Sequence, residues 1–128
     1  MAELLGKDFT PPDIFGKVTG RAKYAEDFRR DGTLFCRLLL SPMPHARVRS
    51  IDASAALAMP GVVEILLPDD VPEQPGAADN ILTYEPHFVG EPILAIAAVD
   101  ETTAHNAIQA IKIDLEPLEF CMDPLESL

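Results

Sequence analysis

Three short and largely apolar runs divide the chain and predict strands. They are residues 33–40 (TLFCRLLL), 62–67 (VVEILL) and 93–99 (ILAIAAV), all rich in large aliphatic or β-branched side chains. The third run is continuously apolar, which is typical of a strand buried on both faces of a sheet. The first is also predicted to be a buried strand, ending at Ser41 because Pro42 has no amide N–H for a ladder hydrogen bond.

Other segments alternate polar and apolar residues, which is the pattern of a strand with one face in water. Residues 46–51 (ARVRSI) place arginines between small or apolar side chains, and residues 111–115 (IKIDL) alternate aliphatic with charged side chains. The second of these strands is predicted to stop at Pro117. A rougher alternation over residues 18–28 (VTGRAKYAEDF) predicts an edge or meandering strand.

A short helix is predicted after Asp52, which is a good N-cap residue. Residues 53–59 are rich in alanine and favour about two helical turns, and Pro60 and Gly61 end them.

A second helix is predicted over residues 101–110, with Asp100 as its N-cap. Residues three and four apart form one apolar face of this helix, and they are Ala104, Ala107, Ile108 and Ile111.

Together these elements predict an α+β fold, in which two short helices cover one side of a mixed sheet. The order strand–Asp–helix–strand occurs twice, around Asp52 and around Asp100. That order leaves open a second architecture, a ferredoxin-like double βαβ sandwich serving a stand-alone binding or regulatory module. Residues 1–16, with two prolines and two glycines, predict an irregular N-terminal arm, and residues 68–85, with three prolines, predict a loop.

The length of the chain indicates how many domains it forms, and its charge indicates which partners it can bind. A chain of 128 residues fits a single domain, here residues 17–128 after the arm. Residues 1–50 carry nine Lys or Arg against six Asp or Glu, whereas residues 51–128 carry one against fifteen, giving a net charge of −11. Nucleic acid is therefore not an expected partner, because phosphate contacts need clustered positive charge. The acidic half is either a solvated surface or a face that docks on a neighbour of opposite charge.

No membrane association is expected from the sequence. The longest apolar run has seven residues, whereas a membrane-spanning helix needs about 20. Residues 1–13 have neither the basic nor the apolar region of a secretory signal. We therefore expect a soluble, cytoplasmic protein.

The two cysteines predict neither a disulfide framework nor a metal cluster. An iron–sulfur cluster usually takes four thiolates, and the sequence has only Cys36 and Cys121. Because Cys36 lies inside a predicted strand, we expect it to be a small core residue. Cys121 is expected to be exposed near the end of the chain.

None of the three histidines is spaced from another histidine or a cysteine as metal ligands are. His45 lies in a turn framed by prolines, where a hydrogen bond to the backbone is favoured over catalysis. His87 lies in a loop near Glu85, and His105 is expected on the solvated face of the second helix, without a function.

The remaining candidate motifs predict no chemistry. The GKVTG segment at residues 16–20 lacks the spacing and ending of a phosphate-binding loop. Gly90 is predicted to form a tight turn with positive φ. Asp69 and Asp70 lie in a loop without an apolar pocket to shift their acidity. We therefore predict no catalytic, cofactor-binding or metal-binding residue.

Three blocks of sequence carry a resemblance that extends over residues 8–128. The blocks are residues 16–27 (GKVTGRAKYAED), 41–63 (SPMPHAR through PGVV) and 88–118 (FVGEP through EPL). They resemble the opening domain of the large subunit of the molybdenum hydroxylases, the xanthine dehydrogenase and aldehyde oxidase family. Met43 stands where a histidine or tyrosine is frequent in such proteins, and the loop at residues 68–88 is short.

The resemblance implies an α/β hammerhead fold for residues 17–128 and a non-catalytic role. Such enzymes hydroxylate an aldehyde or N-heterocycle, and this domain would support that reaction only when assembled with the molybdopterin-binding part. The implied partners are that remainder of the large subunit and an iron–sulfur subunit or domain. The assembled enzyme would hold molybdopterin, iron–sulfur clusters and, in many such enzymes, FAD. No residue here matches the family's cofactor-binding loops or its catalytic glutamate, so no cofactor is expected to be bound by this chain itself.

The last residues, DPLESL, come about where a full subunit would continue. This is expected of either an excised domain or the product of a split or truncated gene. A domain without its usual neighbours is expected to expose an apolar or charged docking face.

Overall fold

The computed structural model describes residue 6 and residues 8–72, 81–123 and 125–126. The chain divides into two compact units, residues 1–33 and residues 34–128.

The first unit contains helix α1 (Ile14–Val18) and a single 3₁₀ turn at Ala25–Asp27. The strand predicted over residues 18–28 is therefore wrong, and helix α1 begins inside the segment predicted to be irregular. Local hydrogen bonds explain the difference, because polar side chains compete with a sheet for backbone groups. The Thr19 hydroxyl donates to the Phe15 carbonyl at 2.6 Å, and the Asp27 carboxylate accepts from the Tyr24 amide at 2.9 Å.

The described residues of the second unit form five strands and two helices, in an order that matches the sequence prediction. The elements are β1 (Phe35–Leu40), β2 (Ala46–Asp52), α2 (Ser54–Leu57), β3 (Val62–Leu66), β4 (Pro92–Ala98), α3 (Glu101–Ala110) and β5 (Lys112–Pro117). A 3₁₀ turn at Pro68–Asp70 opens the predicted loop, of which residues 73–80 lie outside the described residues.

The second unit has the predicted α+β composition, but its strands form two antiparallel sheets where one mixed sheet was predicted. The sheets have the orders β1–β4–β3 and β2–β5. Strand β2 ends at Asp52 and β3 begins at Val62, so their connection is shorter than the dozen or so residues that a parallel crossover needs. The ferredoxin-like alternative is wrong as well, because each strand–helix–strand segment joins the two sheets instead of adding parallel strands to one.

The core lies between the β1–β4–β3 sheet and the two helices. Its fully buried members come from all layers, and they are Ala56, Leu94, Ile96 and Ala107, with Ile65 nearly buried. Small side chains on α2 and α3 let the helices approach the sheet closely. Strand β4 is central, but the prediction that both of its faces are buried is not met. Leu94, Ile96 and Ala98 are buried, whereas Ala95 and Ala97 between them are only partly buried.

The prediction that β1 is a buried strand is wrong, because β1 is an edge strand with one face uncovered. Cys36, predicted to lie in the core, is exposed on that face, and Leu38 is 43% exposed. An apolar run indicates a strand, but it does not indicate which strand will lie at the edge of a sheet.

The two predicted helix starts differ in detail. Asp100 caps α3 as expected, since its carboxylate accepts from the amide and the hydroxyl of Thr103, each at 2.8 Å. At α2 the N-cap position belongs to Ala53, and Asp52 is the last residue of β2. The Asp52 carboxylate still accepts a hydrogen bond from the Ser54 amide at 3.1 Å. Asp52 therefore caps the first turn of α2 although it lies one residue before the N-cap position.

Candidate functional site

A group of interacting charged and titratable side chains lies on the β2–β5 ribbon and the turn beside it. Arg47 on β2 is directly opposite Glu116 on β5. Glu85 is brought to the same place because the backbone around it hydrogen-bonds to β2, with the Val48 amide donating to the Tyr84 carbonyl at 2.8 Å. We call His45, Arg47, Glu85, His87 and Glu116 the ribbon cluster.

Arg47 contacts both glutamates of the ribbon cluster. Its Nε donates to Glu85 Oε2 at 3.0 Å, and its terminal nitrogen lies 2.9 Å from the same oxygen. Arg49, two residues further along β2, pairs with Glu116 at 2.5 Å. The hydrogen bond from Arg47 holds the pKa of Glu85 below its ordinary value, against a smaller opposing effect of desolvation. A carboxylate held in this way is a weak proton acceptor.

His45 joins the cluster to the segment that follows β5. Its Nδ1 lies 2.7 Å from the carbonyl oxygen of Glu119, so Nδ1 must carry the donated proton. The other nitrogen, Nε2, is buried, has no hydrogen-bond partner among the described residues and lies 3.7 Å from Glu85 Oε1. The ring of His87 is tilted against that of His45, with 5.0 Å between centroids. The predicted backbone hydrogen bond of His45 is confirmed.

The ribbon cluster is built to hold three chain segments together. It links the turn at residues 83–87, strand β2 and the segment after β5 through contacts between distant residues. It contains no hydroxyl or thiol nucleophile, and its best-placed carboxylate is occupied by Arg47. The Arg-x-Arg alternation of residues 47–49 and the glutamate before Pro117 were visible in the sequence. Nothing in the sequence pointed to Glu85 as their partner.

The predicted acidic pair, Asp69 and Asp70, has a structural role. Asp70 accepts from the Leu67 amide at 2.8 Å, which closes the 3₁₀ turn, and Asp69 accepts from the Tyr84 hydroxyl at 3.1 Å. Burial, followed by the hydrogen bond to Asp69, raises the pKa of Tyr84. Sequence reasoning did not identify Tyr84, which fastens this turn to the segment leading to the ribbon cluster.

The other predicted residues are found where expected. Gly90 has φ of 95° in a turn, His105 is exposed on α3, and Cys121 is exposed. Gly16 lies inside α1, so the GKVTG segment is the end of a helix and does not form a phosphate-binding loop.

Two negative findings apply to the described residues. Among them, no group of three or more His, Cys, Asp or Glu is arranged to hold a metal ion. Over the same residues, no helix has the length and apolar character needed to cross a bilayer.

Comparison with known proteins identifies the fold. Residues 19–119 match the family model described as the a/b hammerhead domain of aldehyde oxidase and xanthine dehydrogenase. The chain belongs to this family. The two small antiparallel sheets and helices α2 and α3 all lie within the matched residues.

Relatives of known name support the assignment over nearly the whole chain. The nicotine 6-hydroxylase large subunit of Paenarthrobacter nicotinovorans is 31% identical, over 98% of this chain and 17% of that protein. The xanthine dehydrogenase molybdenum-binding subunit of Escherichia coli O157:H7 is 32% identical, over 91% of this chain and 18% of that protein.

A solved structure agrees with these relatives. Reconstituted CO dehydrogenase from Oligotropha carboxidovorans superposes with a TM-score of 0.83 at 28% identity, over 96% of this chain and 16% of that one. This chain therefore spans less than a fifth of the length of each of these proteins.

Among the described residues, neither the surface of the β1–β4–β3 sheet nor the ribbon cluster offers free donors for the phosphate of a molybdopterin group. A shallow depression of about 130 Å³ between β1, β4 and β3 is lined by Cys36, Glu64, Leu66 and three residues of β4. The phosphate of a pterin cofactor needs amide or cationic donors, whereas the surface that this lining exposes is apolar. The ribbon cluster has cations, but they are already paired with Glu85 and Glu116.

Proposed function

We propose that this chain is the non-catalytic N-terminal domain of the large subunit of a molybdenum hydroxylase. The single observation that carries the proposal is the hammerhead match over residues 19–119. The assembled enzyme would hydroxylate an aldehyde or an N-heterocycle, with the chemistry supplied by the molybdopterin-binding part. The names of the relatives, which include a molybdenum-binding subunit, support this assignment.

The ribbon cluster supports a structural role for the chain. Its ion pairs tie β2 to the turn at residues 83–87 and to the segment after β5. In a larger subunit these contacts would fix the direction of the segment after β5. A fixed direction would help to position a neighbouring domain.

The partners proposed for this chain are the molybdopterin-binding remainder of the large subunit and an iron–sulfur subunit or domain. Molybdopterin, iron–sulfur clusters and, in many such enzymes, FAD would be held by those partners. The cytoplasm is the proposed compartment, and two free cysteines are typical of a reducing environment.

We propose, further, that residues 17–128 form the hammerhead domain and residues 1–16 an arm. This boundary is tested by comparing thermal unfolding of the full chain with that of residues 17–128. The two melting temperatures are expected to be equal. A melting temperature much lower for residues 17–128 than for the full chain would show that the domain includes the start of α1.

Metal analysis tests the function. The purified chain is expected to contain no molybdenum and to oxidise neither aldehydes nor N-heterocycles. Material isolated under native conditions from the source organism is expected to contain the chain together with a molybdopterin-binding polypeptide and stoichiometric molybdenum. Stoichiometric molybdenum in the isolated chain, or turnover by it, would contradict the proposal.

A further inference from the structure

One face of the β1–β4–β3 sheet is packed and the other is open. Helices α2 and α3 cover the first face, where Leu39 contacts the core and Arg37 pairs with Glu101 of α3 at 2.6 Å. Successive side chains of a strand point to opposite faces, so the neighbours of Leu39 and Arg37 point away from the helices. We call the second face the open face, and it is formed by Cys36, Leu38, Glu64, Leu66, Ala95 and Ala97.

The pairing of the strands brings these side chains together. Leu38 on β1 and Leu66 on β3 are both opposite Ala95 on β4, so two leucines flank a row of small side chains. Cys36 and Glu64 are opposite Ala97 in the same way. The shallow depression already described lies in this row. The result is an apolar groove between two ridges.

The composition of the open face is that of a buried surface. An antiparallel sheet with one face in water normally carries polar side chains there. Here Glu64 is the one charged side chain among the six, while Leu38 and Leu66 are 43% and 41% exposed. Exposed apolar patches are typical of surfaces that bind a partner, and another protein surface is one such partner.

We infer that the open face is the surface through which the hammerhead domain docks on the molybdopterin-binding part of the large subunit. The inference rests on the proposed function and adds to it the face that is used. The matched relatives are more than five times the length of this chain, so most of each polypeptide lies outside the matched segment. The partner surface should be apolar, with a lysine or arginine opposite Glu64.

Charge argues against a second copy of this chain as the occupant. Each copy has a net charge of −11, with −14 in residues 51–128 from one cation and fifteen anions. Two such surfaces repel each other at low and moderate ionic strength. A less acidic partner would meet less electrostatic repulsion.

Cys36 offers a direct reporter of docking. In a chain with Cys121→Ser, Cys36 is the only thiol, and its alkylation rate is measured in the isolated chain and in the complex with the molybdopterin-binding polypeptide. We expect at least a tenfold slower reaction in the complex. A Cys36→Ser chain reports Cys121 under the same conditions and controls for general effects of the complex on alkylation.

Affinity provides the second measurement. Leu38→Lys and Leu66→Lys are expected to weaken binding to the molybdopterin-binding polypeptide by at least tenfold, because a charge would be buried in an apolar interface. Leu57→Lys is the matched control, since Leu57 is 54% exposed on α2, away from the open face. All three isolated variants should melt near the wild-type temperature, which separates docking from folding.

The outcomes distinguish the inference from the proposed function. If the complex forms with Cys36 fully reactive, or if the lysine variants bind like wild type, the docking face is wrong and the proposed function stands. If no molybdopterin-binding polypeptide binds the chain, both are wrong. If Cys36 is already protected in a stable dimer of the isolated chain, the occupant is a second copy and the inference is overturned.

Discussion

At the scale of single residues, the turn before β3 depends on a glycine. Gly61 has φ of 92°, and its carbonyl accepts from the Val99 amide at 2.9 Å. A Cβ at this position would lie 2.9 Å from Val99 Cγ2 and 3.3 Å from Thr103 Cγ2. Both the backbone conformation and the packing therefore disfavour a side chain there. Gly90 has nearly the same φ, 95°, but apart from its chain neighbours no described residue has an atom within 4 Å of the position that a Cβ would take.

We expect Gly61→Ala to lower the free energy of unfolding by about 1–3 kcal/mol, because strained φ and close contact add. Gly90→Ala is the matched control, in which only the φ strain acts, so a smaller decrease is expected. Urea denaturation of the two variants measures the difference. Equal losses would mean that the Val99 and Thr103 side chains move aside without cost.

Some side-chain contacts could be predicted from the sequence and others could not. The hydrogen bonds of Asp100 were predictable because this residue caps a helix whose first turn follows it directly in the sequence. For His45 a backbone hydrogen bond was predicted, but its partner, the Glu119 carbonyl, lies 74 positions away and no local pattern identifies it. The exposure of Cys36 was not predictable, because it depends on what lies against the other face of a sheet. The Arg47–Glu85 pair joins residues 38 positions apart, and no local pattern specifies such a partner.

At the scale of elements, the β2–β5 ribbon is held by ion pairs as well as by its ladder. Because Arg47 lowers the pKa of Glu85, the stabilisation from this pair is complete above the ordinary pKa of glutamate, about 4.3. It is lost as the pH falls through the lowered pKa of the folded state. Salt should weaken it, since both partners are partly exposed.

We expect Arg47→Gln to lower the melting temperature at pH 7 by no more than a few degrees, because exposed ion pairs contribute little. The difference from wild type should shrink below about pH 4 and in 1 M NaCl. Lys23→Gln changes the net charge equally in the first unit and controls for it. A difference that persists at pH 3 would show that Arg47 acts by packing and not by charge.

Helix α3 is fitted to its sheet through small residues. Ala104 and Ala107 are fully buried, whereas Gln109 on the same helix is exposed. We expect Ala107→Leu to lower the free energy of unfolding by about 1–3 kcal/mol through overpacking, although leucine favours helices. Gln109→Leu, with the same new side chain, should change it by less than about 0.5 kcal/mol. Similar effects of both variants would show that the helix moves outward without loss.

At the scale of the whole molecule, an apolar face and a strong negative charge have opposite effects on self-association. The open face favours contact between copies, and the charge of −11 opposes it. Charge repulsion between surfaces acts over about 10 Å at 0.1 M salt and about 3 Å at 1 M. The balance should therefore change with ionic strength.

We expect the isolated chain to sediment as a monomer at 0.1 M NaCl and to self-associate weakly at 1 M NaCl. Leu38→Lys should abolish the association at high salt, whereas Leu57→Lys should leave it unchanged. A stable dimer at low salt would show that the apolar contact outweighs the repulsion, and it would favour a second copy as the natural occupant of the open face.

The sequence by itself determined which segments become strands or helices in the second unit, because hydrophobic period, caps and proline stops act over a few neighbouring residues. Strands β2, β4 and β5 and helix α3 were predicted to within a few residues for that reason. Only the tertiary structure decided how the strands pair, because antiparallel partners such as β1 and β4 are separated by two sheet changes along the chain. It also decided that β1 lies at an edge with Leu38 uncovered, and that Glu85 meets Arg47. Those outcomes depend on which surfaces remain after the helices have packed, and no local pattern contains that information.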